Sequence, residues 1–176
     1  MPIAIVTPRS RLEIVSIVKH IKKQIHFDGL NFPIVEFIEH VLPQIDESFK
    51  YEYCQKNELP ANVYAYYSPI DNLMKIREDV YIGASNGNSR DRFTLAHEVG
   101  HYFLHNEVIL TRKSESEIPP YENPEWQANV FAGELLIPSQ EIIGMEISEI
   151  MCNCNVSRQE AEIASKNAKK SNYYIN

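Results

Sequence analysis

Two histidines four residues apart, His97 and His101, bracket Glu98 in the stretch RFTLAHEVGHYFLH from Arg92 to His105. On a helix, positions i and i+4 lie one turn apart on the same face, so both imidazoles can reach one metal ion. Glu98, directly after the first histidine, projects beside that ion, where it can take a proton from an activated water. The pattern assigns His97 and His101 as metal ligands and Glu98 as the general base of a hydrolytic site.

A catalytic zinc takes three protein ligands and keeps a fourth position open. A third histidine six residues beyond His101 would complete one such set, but Glu107 stands there. The alternative is a carboxylate from a second helix, followed four residues later by an Asp or Asn that orients a ligand histidine. Glu125-Trp126-Gln127-Ala128-Asn129 supplies it. Glu125 is the expected third ligand and Asn129 the residue expected behind a histidine. The expected ion is Zn2+, with Mn2+ as the alternative, because geometry and availability decide the metal more than ligand identity does.

Other residues nearby read more plainly. His105 follows His101 at the same spacing, but eight residues of helix rotate it off His97, so it reads as a satisfied or partly exposed helix-end histidine. His20, His26 and His40 lack any metal spacing. Gly100 costs about 1 kcal/mol relative to Ala inside a helix. Its presence implies close approach of a backbone or of substrate, a simple helix crossing serving equally well. Arg90 and Arg92 could bind a substrate carboxylate or pair with local acids, and the pairing is the expectation. None of the ten tyrosines is singled out for stabilising an oxyanion.

These residues need elements to hold them. Apolar spacing predicts a helix from Ser10 to about His26, opened by a Ser10/Glu13 capping box, and a second from Pro33 through Val41 that Pro43 ends or kinks. Strands are predicted at Phe49 to Cys54, Asn62 to Tyr67 and Leu73 to Arg77, forming a short antiparallel sheet. Gly83 to Ser89 reads as a loop, Asp91 to His105 as the motif helix, and Thr111 to Pro124 as an exposed loop bordering the site. A helix from Pro124 to Ile137 carries Glu125, and a shorter segment spans Gln140 to Met151. A Ser157/Glu160 capping box opens a terminal helix. The expected fold is α+β: mostly helical, with a small three-stranded antiparallel sheet. It is organised as N-terminal helices (1–48), a peptidase core (49–138) and C-terminal helices (139–176).

At 176 residues and 44% hydrophobic, the chain has the content of one compact domain. A net charge of -7 and a pI near 5.4 disfavour direct nucleic-acid binding, which draws on Lys and Arg to neutralise phosphates. No apolar run is long enough to span a membrane, and MPIAIVTPRSR lacks the order of a signal peptide, so a cytoplasmic protein without membrane contact is expected. Its three cysteines read as reduced thiols.

Residues Arg90 to His101 (RDRFTLAHEVGH) followed by Glu125 to Pro138 (EWQANVFAGELLIP) resemble the ImmA/IrrE family of metallopeptidases. Pro60 to Tyr67 and Tyr81 to Ala84 resemble that family's sheet and pre-helix segments, so the resemblance runs from about Tyr51 to Ser165. It implies that the α+β fold is a zincin-like metallopeptidase domain and that the protein is a gluzincin-like zinc endopeptidase acting as an antirepressor, with a helix-turn-helix repressor encoded nearby as its substrate or binding partner. Some relatives belong to toxin-antitoxin modules, where the partner is an antitoxin. The chain shows neither the fused helix-turn-helix region nor the sensor domain of some relatives, so DNA contact is expected from other proteins. Two alternatives stand beside the peptidase: a non-proteolytic protein that docks on its partner, and a toxin neutralised by an antitoxin.

Overall fold

The structure, a computed structural model, describes residues 3–105, 108–111 and 117–172. Strand β1 (Ile3–Val6) leads into helix α1 (Arg11–Gln24), where Ser10 and Glu13 form the reciprocal capping box and Ile14, Val18 and Ile21 are buried. A second helical stretch runs as α2 (Ile34–Glu36), a π-helical segment at Phe37–Val41, and α3 (Leu42–Ile45). Pro43 lacks an N–H and would crowd the carbonyl one turn back. The wider π turn directly precedes it, and the helix ends two residues later.

Strands β2 (Lys50–Cys54), β3 (Ala65–Ser68) and β4 (Leu73–Arg77) form one sheet in the order β2-β4-β3. The sheet is mixed, which corrects the antiparallel expectation: β3 and β4 form an antiparallel hairpin, but β2 runs parallel to β4. The chain leaves β2, passes through a 3-10 turn at Lys56–Glu58, and enters on the far side of where β4 will lie. β4 then fills the centre with Met74 and Ile76 fully buried, while β3 remains an edge. A two-stranded sheet that the sequence did not suggest pairs β1 antiparallel with β5 (Val108–Thr111), so Thr111 belongs to a strand rather than to the expected loop. Glu107 and residues 112–116 lie outside the described residues.

Helix α4 (Glu78–Ser85) follows β4 and absorbs the first residues of the expected Gly83 to Ser89 loop. The true connection is Asn86-Gly87-Asn88, in which Gly87 takes φ +83° and Asn88 caps the next helix by accepting from the Asp91 backbone N–H. Helix α5 (Ser89–Leu104) carries the motif, and α6 (Pro124–Leu136) carries Glu125 and Asn129. The shorter segment expected from Gln140 to Met151 consists of turns followed by α7 (Ile147–Cys154). The Ser157/Glu160 capping box opens α8 (Arg158–Asn172) as predicted. All three cysteines are unpaired. Among the described residues, no helix is long and apolar enough to cross a membrane.

Of all element pairs, α5 and α6 make the most extensive contact. At their crossing, a methyl group on Gly100 would stand 3.1 Å from Ala128 Cα and 3.2 Å from its carbonyl oxygen. The close approach implied by a helix-interior glycine is therefore that of the α6 backbone. It seats the two chemistry-bearing faces against each other.

Candidate metal centre

His97 and His101 project from one face of α5 with their Nε2 atoms 3.0 Å apart. Glu125 meets them from the first turn of α6, Oε2 lying 3.2 Å from His97 Nε2 and Oε1 3.5 Å from His101 Nε2. The helix starts here because Asn123 accepts a hydrogen bond from the Trp126 N–H and Pro124 occupies the first helical position. A carboxylate in that first turn also gains from the helix dipole.

The three donor atoms fit one cation. Bonds of about 2.0 to 2.1 Å in tetrahedral array leave ligand atoms roughly 3.3 Å apart, and the separations here, with one Glu125 oxygen facing each histidine, bracket that value. Two nitrogens and one carboxylate oxygen suit a borderline ion such as zinc. Among the described residues, His97, His101 and Glu125 are the group so placed.

Glu98 is buried beside this group, and its Oε2 accepts a 2.8 Å bond from the Tyr67 backbone N–H of β3. Burial pushes its carboxyl up to about 7, against the opposing pull of His97 and the Tyr67 N–H. That range suits a group that must take and return a proton near neutrality. Burial lowers the His97 pKa, but its bond to Glu125, the charges of Glu98 and Glu125, and the Asn129 contact outweigh it and leave the net direction upward. Glu125 shifts down, chiefly through His97. Burial pushes His101 and His105 each down to about 4, which favours the neutral ring in both.

Asn129 stands behind His97, its Oδ1 3.0 Å from Nδ1, the place the sequence pattern assigns it. Behind His101 stands His105, with the two Nδ1 atoms 2.8 Å apart, and behind His105 is Gln127 at 3.3 Å. His105 is satisfied, as expected, and almost fully buried. Gln127 escaped the sequence reading because its partners come from distant segments. Arg92 departs from expectation: it is buried and donates to Asn31 Oδ1 and the Phe32 carbonyl rather than to an acid. Arg90 lies over the Tyr64 ring at 4.8 Å, as does Arg77 at 4.7 Å.

The group opens into a cleft of about 450 Å³, with Asn62 to Tyr67 as one wall and α5 and Glu125 opposite. The Tyr67 hydroxyl donates to Asn72 and the Tyr102 hydroxyl to Asp46, so both are engaged outside the donor cluster.

A small sheet laid over a motif helix, with a carboxylate brought in by the next long helix, gives an α+β domain with a candidate metal site of two histidines and a glutamate. The sequence model of the IrrE N-terminal-like domain, Peptidase M78, matches residues 55–150, more than half of the chain, and the chain belongs to that family. Among curated proteins, none matches significantly. Among solved structures, the chain is similar in fold to a protein titled "Mycobacterium tuberculosis transcriptional regulator", with TM-score 0.53 and 10% identity over 84% of this chain. It spans 45% of that protein's length.

Proposed function

We propose that the protein is a zinc-dependent endopeptidase that cuts a partner protein, a helix-turn-helix repressor or antitoxin encoded nearby, and so acts as an antirepressor. The observation that carries this reading is Glu98: a buried carboxylate, oriented by the Tyr67 N–H, next to a three-donor cluster. A docking protein has no physical need for such a base.

His97, His101 and Glu125 would hold the ion, with Asn129 orienting His97. A bound zinc supplies a Lewis acid and lowers the pKa of a water at the site. Glu98 removes a proton from the attacking water and returns it to the leaving amine. The Tyr67 N–H keeps the carboxylate aimed during both transfers.

The substrate enters as an extended strand. Tyr64 pairs with Arg77 through a backbone bond, so along β3 the N–H and carbonyl of Ala65 and the carbonyl of Tyr67 turn to the open edge, the Tyr67 N–H being held by Glu98. A peptide adding to that edge lies over the donor cluster. The net charge of -7 leaves DNA contact to the partner. The partner's chemistry is then a peptide segment, read by backbone pairing first and side chains second.

The test is incubation of the purified chain with its neighbouring helix-turn-helix protein, with and without zinc, alongside Glu98→Gln. Zinc-dependent cleavage that disappears in Glu98→Gln, with zinc still bound, supports the reading. Relief of repression by Glu98→Gln equal to wild type would replace it with the docking protein, a role that accords with the regulator title of the solved structure.

A further inference from the structure

His105 and Gln127 contribute no atom to the donor cluster, yet they are 2% and 0% exposed. Buried polar groups of this kind keep defined partners. Gln127 Nε2 donates to the Thr7 carbonyl at 2.9 Å and to the Tyr121 carbonyl at 2.7 Å. Carbonyl oxygens only accept, so this end of the amide is the NH2, and the end facing His105 Nε2 is the oxygen. His105 Nε2 must therefore carry the hydrogen. In a neutral imidazole the other nitrogen is then bare.

That bare Nδ1 of His105 faces His101 Nδ1 at 2.8 Å. Two acceptors do not approach so closely, so His101 donates, and its own Nε2 is left as a lone pair. This is the atom 3.0 Å from His97 Nε2 and 3.5 Å from Glu125 Oε1. At His97 no such relay stands behind the outer ring nitrogen: Asn129 makes one contact at Nδ1, and its amide can be turned either way, while Nε2 faces the other members of the donor cluster.

We propose that Gln127 and His105 are positioning residues that hold His101 in the tautomer protonated on Nδ1, presenting its Nε2 to the metal centre as an acceptor before an ion arrives. The inference rests on reading that centre as a metal site. The order of the hydrogens is set from the outside inward. Two backbone carbonyls orient Gln127, Gln127 sets His105, and His105 sets His101. The outermost anchor, Thr7, lies in the segment after β1 and outside the family-matched residues 55–150. Orientation of a ligand histidine by its second ring nitrogen is worth about 10 to 100-fold in metal affinity.

Two substitutions at His105 separate this role from simple packing. Asn places its side-chain oxygen near the site of the histidine Nδ1, keeping an acceptor for His101 while losing the bond to Gln127. Gln reaches to the site of Nε2 and keeps a Gln127 partner while removing the acceptor from His101. Zinc affinity of the full chain is read by competition with a chromophoric chelator, and the tautomer of His101 by 15N NMR of the metal-free protein above neutral pH. Expected are a wild-type His101 protonated on Nδ1, His105→Asn within a small factor of wild-type affinity, and His105→Gln weaker by about 10 to 100-fold. The melting temperatures need not follow that order, because His105→Asn gives up the inner bond to Gln127. A wild-type His101 protonated on Nε2, or equal zinc affinity in the two variants, overturns the proposal. Should wild type take up no zinc, the metal reading fails, and the tautomer alone decides the relay.

Discussion

Gly100 and Ala128 set the separation of the two helices that build the site: a methyl on Gly100 would meet the Ala128 Cα and carbonyl at 3.1 and 3.2 Å. Both are backbone atoms of a buried helix and cannot swing aside. Gly100→Ala gains about 1 kcal/mol of helix propensity but suffers overpacking of about 1 to 3 kcal/mol. The net expectation is a loss of roughly 1 kcal/mol, with weaker zinc binding as Glu125 moves off the histidines. Urea unfolding and chelator competition measure both, and a variant that is more stable and binds zinc normally contradicts the steric account.

Metal removal should be visible as stability. Zinc present at a hundred times its Kd stabilises the native state by about 2.7 kcal/mol. For a chain of 176 residues this is about 5 to 10 °C in melting temperature. A chelator should abolish the shift in wild type and have no effect on Glu125→Ala. Identical melting of wild type with zinc and with chelator would count against a metal site.

Asp46 gives the pH dependence. Its carboxylate accepts from the Ser48 hydroxyl, from Asn72 Nδ2, from the Ser48 N–H and from the Tyr102 hydroxyl, tying the β3-β4 turn to α5. These bonds, the Ser48 hydroxyl first and Asn72 next, lower it from 3.8 to about 2. A depressed acid contributes stability that is complete above its unfolded pKa and is lost as pH falls through the folded one. Wild type should therefore lose stability between about pH 4 and 2, with a shallower slope in Asp46→Asn. Denaturant midpoints of the two proteins across that range decide it, and parallel curves would contradict the assignment.

Arg92→Met should destabilise without touching metal affinity. The substitution keeps an apolar stem in a buried place and removes the bonds to Asn31 and the Phe32 carbonyl. Hydrogen bonds to charged groups contribute about 1.5 to 3 kcal/mol each, and removing the desolvated guanidinium offsets part of the two. A loss of roughly 2 to 3 kcal/mol in urea unfolding, with unchanged zinc affinity, is the expected pair of results. A large drop in affinity would place Arg92 in support of the centre instead.

What the sequence discloses follows the reach of its periodicities. His97, Glu98 and His101 are related by a helical spacing, as are Glu125 and Asn129, so one face of each helix could be read before any fold was known. The parallel pairing of β2 with β4 could not, because alternation along a strand does not state its neighbour. Helix α4 is short and carries Gly83, which put its last residues into the expected loop and left the rest without a pattern. Strands β1 and β5 have four residues each, too few for a pattern to emerge. The contacts of Gln127 with Thr7 and His105 join segments far apart in the chain, and no local signal marks them.

The hydrogen bond from Gln127 to the Thr7 carbonyl bears on what counts as a portable unit. A block trimmed to residues 55–150 keeps His97, Glu98, His101, Glu125 and Asn129, and its sequence would still match the family. It loses one of the two acceptors that hold the Gln127 amide in place. Transplanting this centre into another scaffold therefore means carrying a short piece of foreign-looking N-terminal chain along with it.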